Sequence, residues 1–283
     1  MCNNKNSMKR LNIIALICAA LCLFSSCKKE LDMTLLKSTL MDGASITSIQ
    51  AREAFEIKVV KDDSTFVEME CSAYLNDYVI CKVEDGCLTL SVDKVGYLPN
   101  GTEYRAVVHT PTLQSIALTE ASRMAIMGDF EDFTSVSLDE ASVCSGGVFS
   151  GNGVEVTLDE ASQLVDFTFN GQQLDAKLSD ASRFVGNVAA VNHMDIAMSS
   201  ASSFVNYGGS TQTARIVMKG ASILNMAQTE IRDLDVDFSE ASSATVKVSE
   251  TISGRLAEVS FLYYYGNPQV DVECLDGSSV ERL

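Results

Sequence analysis

The chain has 283 residues, 38 of them acidic and 21 basic, for a formal net charge of −17. Such a polyanion repels a phosphate backbone and carries no basic stripe, so nucleic acid is excluded as a partner. Three prolines and no tryptophan argue against a glycan-binding sandwich built on tryptophan platforms, and the length suits one extended solenoid or two small domains.

Residues 1–26 read as a leader. Lys9-Arg10 precede an apolar run from Leu11 to Phe24, which is too short and too asymmetrically flanked to be a spanning helix. Phe24-Ser25-Ser26-Cys27 resembles the lipobox of bacterial lipoproteins, with Phe24 departing from the usual Leu or Val. The resemblance implies that Cys27 is diacylated and becomes the mature N-terminus. The alternative is an ordinary secretory leader with an incidental cysteine. Lys28 follows Cys27 instead of the Asp that retains lipoproteins at an inner membrane, which favours an outer-membrane address. Residues 27–42 then form a lipidated tether. The leader holds Lys5, Lys9 and Arg10 and no acid, so the net charge beyond it is about −20.

Residues 43–112 alternate apolar and polar side chains in short runs separated by Asp/Gly turns, as in Phe55-Glu56-Ile57-Lys58-Val59, Phe66 to Cys71, Leu88 to Val92 and Tyr104 to His109. This pattern predicts an all-β unit that caps whatever follows.

From residue 113 a phrase returns every 20 residues: Ala121-Ser122, Ala141-Ser142, Ala161-Ser162, Ala181-Ser182, Ala201-Ser202, Ala221-Ser222 and Ala241-Ser242, with no insertion between copies. Five and three residues before each phrase lie apolar positions, Ile116 and Leu118 in the first copy and Val236 and Phe238 in the last. The residues between them are mostly small or polar. Alternation with period two is a half-buried strand. Two residues after the phrase the ladder resumes with Met124, Cys144, Leu164, Phe184, Phe204, Leu224 and Ala244. Two strands joined by a small-residue corner form one coil of a parallel β-helix, and stacked coils bury a continuous column at about 4.8 Å per coil. A leucine-rich repeat would need its L-x-x-L-x-L frame, and a pentapeptide coil a five-residue subperiod; neither occurs. Periodicity does not settle whether Ala or Ser points inward. A serine column would allow hydroxyl hydrogen bonds from coil to coil. The repeats extend over 113–270, with Tyr263-Tyr264-Tyr265 in a terminal coil turned by Gly266-Asn267-Pro268. Residues 271–283 read as a frayed polar tail.

The chain resembles the head GIN domain family of adhesins, common as lipoproteins in Bacteroidetes, over roughly residues 43–270. The resemblance rests on Phe55-Glu56-Ile57-Lys58-Val59 with Asp62-Asp63, Val83 to Leu90, Thr110 to Ile116, the successive Ala-Ser phrases, and Tyr265-Gly266-Asn267-Pro268. Relatives usually write the phrase Gly-Ala-Ser-Asp. Here only Gly220 keeps the glycine, and the following Asp is absent from all seven copies. The resemblance implies a right-handed solenoid and brings no catalytic residues.

The column Glu120, Glu140, Glu160, Asp180 and Glu240 places like charges at the coil spacing, where calcium would relieve repulsion. Ser200 and Gly220 interrupt it, and a solvated acidic edge is the simpler reading. No metal and no cofactor is expected. The irregular, odd set Cys71, Cys81, Cys87, Cys144 and Cys274 reads as buried thiols and not as a disulfide framework. A β-helix enzyme builds its cleft from long loops, which seven uninterrupted periods do not allow, and no catalytic motif occurs. The sequence thus predicts a non-enzymatic, lipid-anchored, surface-exposed binding protein. Its partners would be the membrane, through the lipid, and a glycan or surface protein. The variable positions beside the phrase, Glu120 with its column and Arg123, Val143, Gln163, Arg183, Ser203, Ile223 and Ser243, would carry the specificity. A carbohydrate-active enzyme and a structural envelope component remain the alternatives.

Overall fold

The computed structural model describes residues 31–93 and 98–283, so the leader and Cys27 lie outside the described residues. Residues 34–283 form one unit. Its N-terminal strands are β1 (Leu35–Leu40), β2 (Ser48–Ala51), β3 (Glu56–Lys61), β4 (Phe66–Ser72), β5 (Val79–Glu84), β6 (Cys87–Val92) and β7 (Tyr104–Thr110). The repeats supply β8 (Ser115–Leu118), β9 (Arg123–Phe130), β10 (Ser135–Leu138), β11 (Val143–Ser150), β12 (Gly153–Leu158), β13 (Gln163–Leu178), β14 (Arg183–Met198), β15 (Ser203–Asn206), β16 (Ser210–Met218), β17 (Ile223–Phe238) and β18 (Ser243–Leu256). β19 (Phe261–Gly266), β20 (Gln269–Cys274) and β21 (Ser279–Arg282) complete the described strands. One short 3-10 turn covers Ala73–Leu75. No described helix is long and apolar enough to cross a membrane.

The strands stack in parallel as the 20-residue period requires. Ile116 lies beside Val136, Val136 beside Val156, and Ala176 beside Ile196, all in register. Strands that enter each corner form a leading sheet in the order β5-β6-β2-β8-β10-β12-β13-β14-β16-β17-β18-β20. Strands that leave it form a trailing sheet, β1-β4-β7-β3-β9-β11-β13-β14-β15-β17-β18-β19-β21. The long strands β13, β14, β17 and β18 bend across the far edge and serve both sheets.

The core lies between the sheets. Every apolar ladder position read from the repeat is buried, from Ile116 and Leu118 to Val236 and Phe238, and from Met124 to Ala244. A column of rings threads the core: Phe133–Phe149 at 4.2 Å, Phe149–Phe167 at 5.1 Å, Phe167–Phe184 at 6.1 Å and Phe184–Phe204 at 4.5 Å between centroids. Cys144 belongs to this core, and its burial pushes the thiol up to about 12. The five cysteines of the described residues are all free.

The expected boundary at residue 113 does not hold. β2 and β3 pair in parallel with β8 and β9, and β6 and β7 stack beyond them, so the column begins inside 43–112. Only β4, β5 and β1 run antiparallel and close that end. The tether is corrected as well, because Leu35–Leu40 pairs with Phe66–Ser72 as an edge strand. The segment 271–283 is not a frayed tail. Its strands continue both sheets, with Ile252 beside Val270 and Leu262 beside Val280, because alternation persists there although polar residues dominate.

Candidate functional site

The Ala-Ser corner has one geometry throughout. Its acidic residue and its alanine both adopt positive φ, 46° and 62° at Glu160-Ala161 and 55° and 61° at Glu240-Ala241. The serine N–H donates back three residues, Ser162 to Asp159 O at 3.0 Å, closing a turn of type I′ sense. L-residues pay about 1–2 kcal/mol each in this region. The compensation is a hydrogen bond between coils: Ala121 N–H donates to Glu140 O, Ala141 to Glu160 O and Ala161 to Asp180 O, each at 2.8 Å. The serine side chain points inward and the alanine outward, since every phrase serine is buried and every phrase alanine exposed. The hydroxyls do not bond one another. Ser162 and Ser182 donate to Leu138 O and Leu158 O of the previous coil at 3.0 Å, and Ser202, Ser222 and Ser242 donate to the carbonyl three residues before. The phrase is a scaffold element.

Three further corners escape the phrase. Glu53-Ala54-Phe55, Glu258-Val259-Ser260 and Asp276-Gly277-Ser278 repeat the paired positive φ, and Ala54 N–H donates to Glu120 O at 2.7 Å as the later alanines do. Phe replaces Ser in the first copy, while Val and Gly replace Ala in the others at a spacing of 18 residues. An acid followed two residues later by Ser was the signal available for the last two.

The acidic column runs along the corner edge, exposed at Glu120, Glu140, Glu160, Asp180 and Glu240. Asp139 and Asp159 accept the N–H of Glu140 and Glu160 at 2.8 and 2.9 Å. The nearby charge of Asp139, then partial desolvation, then Glu140, Asp159 and Asp180, raise the Glu160 carboxyl above its ordinary range. Among the described residues no group of three or more His, Cys, Asp and Glu side chains is placed to hold a metal ion. A raised folded-state value means that the charged carboxyl is disfavoured in the fold. The penalty is absent below the unfolded pKa and grows as pH rises through the folded one. Glu160→Gln should therefore raise the melting temperature at about pH 7 and leave it unchanged near pH 3, measured by thermal melts at both.

The two outer faces differ sharply. On the leading sheet the outward rows carry Glu155, Asp175, Lys177, Asp195, Arg215, Asp235 and Asp237. They form exposed ion pairs, Lys177 with Glu155 at 3.3 Å and Asp175 at 3.6 Å, and Arg215 with Asp235 at 3.8 Å and Asp195 at 3.9 Å. On the trailing sheet the sequence-predicted row Arg123, Val143, Gln163, Arg183, Ser203, Ile223 and Ser243 aligns in register and continues to Phe261. Two residues further on, Ala125, Ser145, Val165, Val185, Val205, Asn225, Thr245 and Tyr263 form a parallel row. In these two rows only Arg123 and Arg183 carry charge. Val185 at the centre is 7% exposed between Val165 and Val205, whereas Ile223 is 59% exposed. Phe261 and Tyr263 stack at 6.5 Å at the C-terminal end. In a strongly acidic chain these two rows, β-branched and hydroxyl-bearing with two arginines and no acid from Arg123 to Tyr263, form a surface that can be desolvated at low cost.

The sequence matches the family described as "Putative auto-transporter adhesin, head GIN domain" over residues 46–268. No curated protein matches. Among solved structures, a "putative adhesin" from Parabacteroides merdae ATCC 43184 is similar at a TM-score of 0.61 and 10% identity, covering 88% of this chain and 96% of that one. A "putative adhesin" from Parabacteroides distasonis ATCC 8503 gives 0.59 and 13%, covering 89% and 98%. A "Putative lipid binding protein" from the same strain gives 0.60 and 11%, also covering 89% and 98%. At these identities the likeness concerns the fold alone. The match over most of its length establishes that the chain belongs to the head GIN domain family.

Proposed function

We propose that the protein is a non-enzymatic adhesin that is lipid-anchored through Cys27 at the outer membrane and binds through the outer face of its trailing sheet. The observation that carries the reading is the contrast between faces: ion-paired acids and bases occupy the middle coils of the leading sheet, while the trailing rows from Arg123 to Tyr263 hold no acid and present Val, Ser, Thr, Asn and aromatic side chains. Stacked coils repeat these side chains at about 4.8 Å, a periodic array suited to an extended glycan or protein surface. The adhesin family membership supports the same reading.

Anchoring and exposure are tested together. Protease treatment of intact cells should remove the wild-type protein, and Cys27→Ala should release it into the soluble fraction. Full protection of the wild type in cells with an intact outer membrane contradicts an adhesin.

A further inference from the structure

The N-terminal end of the column is stepped. β2 and β3 pair with the first repeat coil, β6 and β7 lie beyond them, and β5 and β4 beyond those, one strand in each sheet per level. β1 then adds a further strand to the trailing sheet alone. Among the described residues no strand pairs with the outer edge of β1 or of β5. Open edges of this kind are templates for another strand.

The inner faces left uncovered by the step are largely apolar. On β1, Leu36, Ser38 and Leu40 stand beside the buried Cys71, Met69 and Val67, yet Leu36 is 41% exposed. On β5, Val79, Cys81 and Val83 stand beside the buried Val92, Leu90 and Leu88 and are themselves only half-buried. Ser38 continues the inward row of Met124, and Cys81 that of Leu118. Leu118 and Met124 flank one corner, so Ser38 and Cys81 lie opposite each other across the core. β1 is antiparallel to β4, which is antiparallel to β7, so β1 runs with the trailing coils. β5 runs against the leading coils. Since the chain reverses at each corner, β1 and β5 point the same way.

We propose that a second copy of this chain docks here about a two-fold axis parallel to the strands, each β1 pairing with the partner's β5. Such an axis exchanges the two sheets and keeps strand direction, so the pairing is parallel and both sheets run on through the dimer. Both strands have six residues. Their inner rows match: Leu36 meets the partner's Val79, Ser38 the partner's Cys81, and Leu40 the partner's Val83. On the outside Lys37 falls beside the partner's Ile80 and Thr39 beside the partner's Lys82, so no two acids oppose. The C-terminal end is stepped as well, by β21 beyond β20, but β21 has four residues. Its strands bring Asp271, Glu273 and Glu281 against Arg282 alone, so two copies would repel there. The dimer contact does not depend on what the trailing face binds.

Sedimentation of residues 34–283, which form one unit, should give twice the monomer mass at about 100 µM. Leu36→Lys should weaken the association about tenfold or more with an unchanged melting temperature, because it places a charge in the contact and not in the core. Val270→Lys, at a position 39% exposed on the C-terminal end, should leave the dimer intact. In cells producing the full chain, Ser38→Cys should be joined into a dimer by a mild oxidant. Paired strands hold Cα atoms about 4.8 Å apart, within disulfide range. Adding Cys81→Ser should abolish that crosslink. The proposal is overturned if the unit stays monomeric, if Leu36→Lys associates as wild type does, or if Val270→Lys dissociates the dimer, which would put the contact at the other end. It is equally overturned if the Ser38→Cys crosslink is absent, or if it survives Cys81→Ser, which would pair β1 with the partner's β1.

Discussion

Ala161→Pro should unfold most of the protein at urea concentrations that leave the wild type intact, whereas Ala161→Gly at the same position should stabilise it. Ala161 has φ of 62°, and its N–H donates to Asp180 O of the next coil at 2.8 Å. Proline fixes φ near −65° and has no N–H, so it loses both the conformation and the rung between coils. The loss should be about 3 kcal/mol or more. That is a large share of the roughly 5–15 kcal/mol by which domains are stable. Glycine keeps the rung and removes the left-handed penalty of about 1 kcal/mol, set against its greater freedom in the unfolded chain. Few positions in a sheet protein should reverse sign in this way. Urea titrations of the two variants check it: a tolerated proline, or a glycine that destabilises as it does inside an ordinary strand, would show that the corners do not hold the stack.

The repeat made the column legible because stacking forces equivalent residues above one another, so the burial of Leu118, Leu138 and Leu158 was written as a period. The inward turn of the serine was not written there, because Ala and Ser are both small enough for either side of the corner. The first corner was hidden since Phe55 stands where Ser122 stands one coil later, and Phe55 N–H instead donates to Ser122 Oγ at 3.3 Å. A long excursion through β4 to β7 also separates it from its neighbour in the stack. The last two corners were hidden by a period shortened to 18 residues and by Val259 and Gly277 in place of Ala. Leu35–Leu40 read as a tether because every residue from Leu35 to Thr39 is exposed, so the strand has no buried alternation to reveal it. The trailing face was visible as a variable row beside the phrase. Its lack of acids gained meaning only when pairing showed that Val165, Val185 and Val205 lie side by side.

The central functional claim is that these trailing rows make the contact. Ile223 is 59% exposed, so Ile223→Glu adds a charge to the face without entering the core. Val165→Glu extends the insult along the second row. Thr157→Glu is the matched control, an outward position of β12 on the leading sheet. A buried unpaired charge costs several kcal/mol at a desolvated contact, about a hundredfold or more in affinity. The decisive measurement is the binding of the three variants and the wild type to an array of glycans and extracellular-matrix proteins, with melting temperatures alongside. The account predicts that the matrix-protein and neutral-glycan ligands of the wild type are lost by Ile223→Glu and Val165→Glu and kept by Thr157→Glu, with all three folded. Retention of binding by the folded trailing-face variants, or equal loss in the leading-face control, would contradict it.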